Sequence, residues 1–151
     1  MTVYDWVKFL HVLLAIVAVG FNASYGIWLA RAAKEPNHEL HVLRGIKILD
    51  DRFANPAYGL LLVTGLWMVV ISAWRITTFW IASGLVLWAI VILLGIGLYT
   101  PTLRRQIRVL EAEGPQSEEY RWLSRRGTIL GIVLAVLVIL IVALMVLKPT
   151  L

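Results

Sequence analysis

Between Gly127 and Leu147 the chain reads GTILGIVLAVLVILIVALMVL, 21 residues with no charged side chain and a single hydroxyl, that of Thr128. Coiled as an α-helix rising about 1.5 Å per residue, such a run is roughly 30 Å long, the thickness of a bilayer's hydrocarbon layer. Three further apolar stretches, at about 6–30, 54–73 and 79–99, have the same character. The expected fold is therefore all-α: a bundle of four transmembrane helices, residues 1–151 forming one integral membrane domain with long loops at 31–53 and 102–126.

Composition supports this. Hydrophobic residues make up 60% of the chain and charged residues 15%, against about 45–50% and 25% in soluble domains. Four spans leave only short connections, so a separate catalytic module with a core of its own is excluded. The net charge of +5 lies beside the spans, where it sets orientation, and does not point to nucleic acid. With no cysteine, disulfides, thiolate metal sites and sulfur-ligated iron clusters are excluded. The leading segment MTVYDWVKFLHVLLAIVAVG holds one Asp5 and one Lys8, and its apolar run continues through Trp28 with no cleavage motif. It is expected to be a retained span, not a cleaved signal.

The two long loops hold five and six of the fourteen Lys and Arg residues, and only Lys8, Arg75 and Lys148 lie on the other side. Basic loops remain in the cytosol. Both termini are therefore expected outside, in a multi-pass protein of the bacterial plasma membrane. In the first loop Asn37 reads as an N-cap, and Leu40, Leu43 and Ile46 recur at helical spacing, which suits a short amphipathic helix lying on the membrane surface. Pro56 falls in the first turn of the second span, and Pro101 is expected to kink or end the third. The link 74–78 is so short that spans two and three form an antiparallel hairpin, with Trp74, Phe79 and Trp80 as an aromatic belt. In the second loop LRRQIRVLEAEG is helical in pattern, Gly114 and Pro115 break it, and Ser117 is the next N-cap, followed by Glu118 and Glu119.

Apolar surfaces gain little by meeting one another in lipid, so small residues mark where helices approach. Gly127, Gly131 and Ala135 form such a stripe on span four, facing a helix of this chain or of another copy. His11, Ala15, Ala18, Asn22 and Gly26 share one side of span one, and Tyr58, Leu62, Gly65, Met68 and Ser72 one side of span two. These faces, with Gly84, Trp88, Val91 and Gly95 of span three, make one mildly polar seam inside the bundle.

No Asp, Glu, Lys or Arg falls within a span away from its ends. A proton-coupled exporter of small cations or an ion pathway would carry such a group, so both are disfavoured. An enzyme acting on lipid or quinone is disfavoured too, because the spans hold no nucleophile, acid–base pair or metal cluster. The one titratable group within the hydrocarbon is His11, five residues or roughly 7 Å from the outer face. Met68 lies at a similar depth and Met145 is shallower on the same side. A His with two thioethers suits copper or the axial ligation of haem iron; equally, such a His is often only hydrogen-bonded to a neighbouring helix, with Met filling gaps. His38 and His41 lie at the opposite face, in a solvated loop.

The segments FLHVLLAIVAVG in span one, NPAYGLLLVTGLWMV in span two and the closing MVLKP resemble an uncharacterised family of small bacterial integral membrane proteins, a domain of unknown function, over nearly the whole chain. Its layout is similar to that of the copper-resistance D proteins and the haem-binding membrane family of protoporphyrinogen oxidase, which also place a histidine in the first span. The resemblance implies haem b or copper at His11. Away from the span ends the sequence has no lysine, and within the spans it has no second histidine, so a bis-histidine haem would take His11 from two chains. Two roles are expected: a non-enzymatic haem- or copper-binding bundle, working as a homo-oligomer or within a larger membrane complex, or a cofactor-free structural subunit of such a complex.

Overall fold

The computed structural model describes residues 1–149, the side chain of Pro36 aside. The order is α1 (Val3–Ala32), α2 (Pro36–Leu49), α3 (Asn55–Val70), α4 (Phe79–Leu94), α5 (Thr100–Glu113) and α6 (Glu118–Leu147). A π-helical turn, Asp50–Ala54, joins α2 to α3, and a second, Gly95–Tyr99, joins α4 to α5. No break separates these pieces, so four long helices result: Val3–Ala32, Asn37–Val70, Phe79–Glu113 and Glu118–Leu147, each long and apolar enough to cross a bilayer. The fold is an all-α four-helix bundle.

The ends of the helices reflect local chemistry. Thr2 opens α1 in a reciprocal capping box, its N–H donating to Asp5 Oδ2 at 2.7 Å while Asp5 N–H donates back to Thr2 Oγ1 at 3.3 Å. Ser117 caps α6 by accepting from Tyr120 N–H, with Glu118 and Glu119 in the first turn, where the helix dipole favours carboxylates. Gly114 ends α5 at φ 82°, in the left-handed region that glycine enters without a Cβ penalty. Asn37 is not a cap: α2 begins at Pro36, and the N-cap position belongs to Glu35, which makes no side-chain capping bond.

Neither Pro56 nor Pro101 ends a helix. Each stands just beyond a π turn, and the residue four before it, Arg52 or Gly97, lies within that turn. A proline ring would clash with the carbonyl at that spacing and has no N–H to offer it. The π turns open the helix by one residue, and the next donors reach five back: Asn55 N–H to the Asp50 carbonyl, Thr100 N–H to that of Gly95. The amphipathic segment 36–49 is consequently not a separate helix lying flat; it prolongs α3.

This prolongation builds the core. At the end of the bundle holding α2, α5 and the start of α6, here the basic end, Leu43, Ile46, Leu103, Val109, Leu110 and Leu123 pack with Tyr25, Tyr99 and Tyr120. Charged bonds tie its rim. Arg44 meets Glu111 at 2.7 Å, Arg105 meets Glu119 at 2.6 Å, and the Tyr120 hydroxyl donates to Glu39. The apolar spans, by contrast, keep most of their side chains outward; Ile16, Leu93, Ile132 and Ile139 are all exposed, as suits surfaces solvated by lipid. At the other, terminal end, Trp74 and Trp80 pack edge to face at 5.5 Å and Lys148 lies over both rings.

Within the membrane-spanning part, α1 packs on α3 and α4 on α6. Although α3 and α4 are consecutive, their Cα atoms do not come within 8 Å of each other. The gap is bridged by side chains, the Trp88 indole N–H donating to the Tyr58 carbonyl at 3.3 Å. Two helix pairs therefore face each other across an incompletely filled space.

Candidate functional site

Two places in the bundle collect polar groups. The first joins α1 to α3 in the terminal half. Thr64, one turn after Leu60, donates its hydroxyl proton to the Leu60 carbonyl at 2.8 Å. Its oxygen is thereby left as an acceptor, and Nδ1 of His11 stands 2.8 Å from it. The donor in that bond is then Nδ1–H, and in the neutral ring this leaves the lone pair on Nε2. Gly65 makes room for the ring: a Cβ there would stand 3.2 Å from His11 Cε1.

Met68 lies four residues after Thr64, on the same face of α3, and is half-buried. Met145 sits elsewhere, its methyl against Gly84 of α4, where a Cβ on that glycine would collide with it. Of the three donors read from the sequence, His11 and Met68 share the α1–α3 pair, while Met145 packs in the α4–α6 pair. Among the described residues no three His, Cys, Asp or Glu side chains gather as a metal-binding group. His38 lies 3.5 Å from Glu35 and, like His41, is exposed at the basic end.

The second place is a cavity of about 460 Å³ between the two helix pairs, towards the basic end. Gly127, Gly131 and Ala135 border it. A Cβ at Gly127 would meet Gln106 Oε1 at 3.5 Å, and one at Gly131 would meet Tyr99 Cε2 at 3.9 Å. The small-residue stripe of α6 thus faces open space and side chains of the neighbouring long helix. Asn22 borders the cavity from α1 and donates to the Tyr58 hydroxyl and to the Ala18 carbonyl, each at 2.9 Å.

Both π turns open onto this cavity, one presenting Asp50, the other Gly95 and Tyr99. Asp50 is 5% exposed, although sequence pattern places it in a loop and the spans without an acidic residue. The adjacent Asp51 points out to Lys47. Asp50 accepts from Asn55 Nδ2 at 3.2 Å. Tyr25, 3% exposed, lines the same space, and its hydroxyl has no hydrogen-bond partner among the described residues. Asp50, Tyr25, Tyr99 and Asn55 carry no motif. The available signal was the pair of prolines at 56 and 101 inside apolar helical patterns, which require the backbone to open one turn earlier.

No curated protein and no solved structure matches the chain. A family described as predicted integral membrane protein (DUF2269) matches residues 5–149. That match takes in the first long helix from Asp5 onward, the other three whole, both π turns, His11 and Asp50, and the chain belongs to this family of integral membrane proteins.

Proposed function

We propose that this protein is a non-enzymatic haem-binding bundle of the bacterial plasma membrane, with its basic end in the cytosol, in which Nε2 of His11 would hold the haem iron. The supporting observation is the bond between His11 Nδ1 and Thr64. A metal-ligating histidine commonly donates its other ring N–H to a fixed acceptor, which sets the tautomer and the ring plane. Thr64 does this for His11, because its own proton is committed to Leu60.

The donor set fits haem better than copper. Haem iron can be held by a single histidine nitrogen, and His11 would supply one. A copper site built from thioethers draws on several soft donors, and Met145 is engaged at Gly84. When bound, haem supplies one-electron redox chemistry. The chain's contribution is to orient the half-buried His11 imidazole through Thr64, with Met68 as a thioether donor of the same helix pair.

The test is a spectrum of protein purified in mild detergent from cells supplied with haem precursor and copper, with metal analysis alongside. A Soret band that His11→Ala removes, without loss of the monodisperse folded protein, is expected. Thr64→Val should weaken haem retention by about tenfold. A colourless protein, a copper-loaded one without haem, or an unchanged Soret band in His11→Ala would overturn the reading.

A further inference from the structure

The cavity beside Asp50 is separate from the His11 site. On α3, Thr64 lies six residues beyond Tyr58, roughly 9 Å along the axis. Asp50 is an acidic side chain buried in a wall that is otherwise mainly apolar. A carboxylate taken out of water needs a counter-charge or a full set of donors. Asn55 Nδ2–H donates to it at 3.2 Å and the Thr100 hydroxyl is a second donor, but among the described residues it belongs to no ion pair. The nearest basic side chain along the helix, Lys47, is bonded to Asp51.

Three tyrosines, Tyr25, Tyr58 and Tyr99, border the same space. The Tyr25 hydroxyl is buried with nothing to bond among the described residues. The Tyr58 oxygen already accepts from Asn22, so its own proton remains to be given. Aromatic faces and one carboxylate recognise positive charge, and they do so most strongly when water is excluded. A bare metal ion would instead call for six or so oxygen ligands at close range, whereas of the two carboxylates bordering these roughly 460 Å³ Glu39 is engaged by the Tyr120 hydroxyl, which leaves Asp50. Ile96, Ile132 and Ile139 border the cavity and are themselves exposed on the bundle's apolar flank, so the cavity communicates with the surface that lipid would cover.

We infer that the cavity binds a lipophilic organic cation, the Asp50 carboxylate taking its charge and the rings of Tyr25, Tyr58 and Tyr99 enclosing its body. The occupant is an amine or quaternary onium compound with an apolar frame that enters from the bilayer. The small residues of α6 serve this site by leaving room: larger side chains at Gly131 and Ala135 would occupy the space.

The experiment is equilibrium binding of tetraphenylphosphonium to the full chain in mild detergent at low salt, with neutral triphenylphosphine oxide as the comparison. One saturable site per chain is expected, with the neutral compound binding at least about tenfold more weakly. Asp50→Asn should lower tetraphenylphosphonium affinity by about tenfold or more, and Gly131→Leu, which fills the cavity from the opposite wall, should abolish binding. Absence of saturable binding to the wild type, equal binding of the neutral compound, or unchanged affinity in either variant would overturn the inference. The neutral comparison uses wild-type protein alone and decides the matter even if Asp50→Asn fails to fold.

Discussion

The backbone of Gly131 on α6 faces the ring of Tyr99 across the cavity, where a methyl group built on the glycine would stand 3.9 Å from Cε2. That is ordinary van der Waals contact. Gly131→Ala should therefore be accepted, and by removing a flexible residue from mid-helix it should raise stability by about 0.5–1 kcal/mol. Thermal melting in detergent checks this; a fall of several degrees would mean that α6 packs more closely at this point than the structure shows.

Gly84 is the opposite case. A Cβ there meets the methyl of Met145, the free end of a flexible side chain. Gly84→Ala should cost about 1 kcal/mol through displacement of that methyl, and much less when Met145→Ala is also present. Melting of both single variants and the double variant gives the coupling. Strict additivity would refute the contact.

Thr64→Val keeps the shape of the side chain but removes the acceptor for His11 Nδ1–H. In a membrane such a bond is worth about 0.6–2 kcal/mol, and Thr64→Ser should retain most of it. Reversible unfolding in mixed micelles distinguishes the two. Equal losses for Val and Ser would show that the hydroxyl is not the group that matters.

Arg44 and Glu111 pair at 2.7 Å with both side chains more than a third exposed, so solvent screening keeps their worth small. Arg44→Glu alone should destabilise by no more than about 1 kcal/mol, and Glu111→Arg in the same chain should restore part of it. A charge-reversed double variant no more stable than the single would indicate that α2 and α5 are not held together by this pair.

Orientation can be read directly because the chain has no cysteine. Arg75 and Arg108 are exposed at opposite ends of the bundle. With the basic end in the cytosol, Arg75→Cys should react with an impermeant maleimide on intact cells, and Arg108→Cys only after the membrane is opened. The reverse pattern would invert the proposed topology.

Membrane insertion and helix count were legible because they depend on summed local properties. A run such as Gly127–Leu147 has no alternative to a helix in lipid, whatever its neighbours do. The cap at Ser117 and the break at Gly114 were legible for the same reason, as each is settled within a few residues; the edge-to-face packing of Trp74 on Trp80 within the expected aromatic belt was not read from the sequence. The histidine bond was half legible: period and small residues put His11 and Gly65 on inward faces, but its partner Thr64 lies 53 positions away.

What depended on tertiary structure was the passage of two helices through their prolines. Asn55–Pro56 and Thr100–Pro101 look like helix boundaries in a linear reading, because a lone helix meets the lost hydrogen bond and the ring clash by ending. Packed against α1 and α6, the same segments lose less by opening a π turn than by breaking, and the extra residue in each turn resets which side chains face inward. That change of register carries Asp50 into the bundle and leaves Asp51 outside with Lys47. The sequence by itself determined that four helices cross the membrane, since hydrophobic length is local. Only the tertiary structure decided that they enclose a buried carboxylate among tyrosines, since that depends on how one helix yields to another.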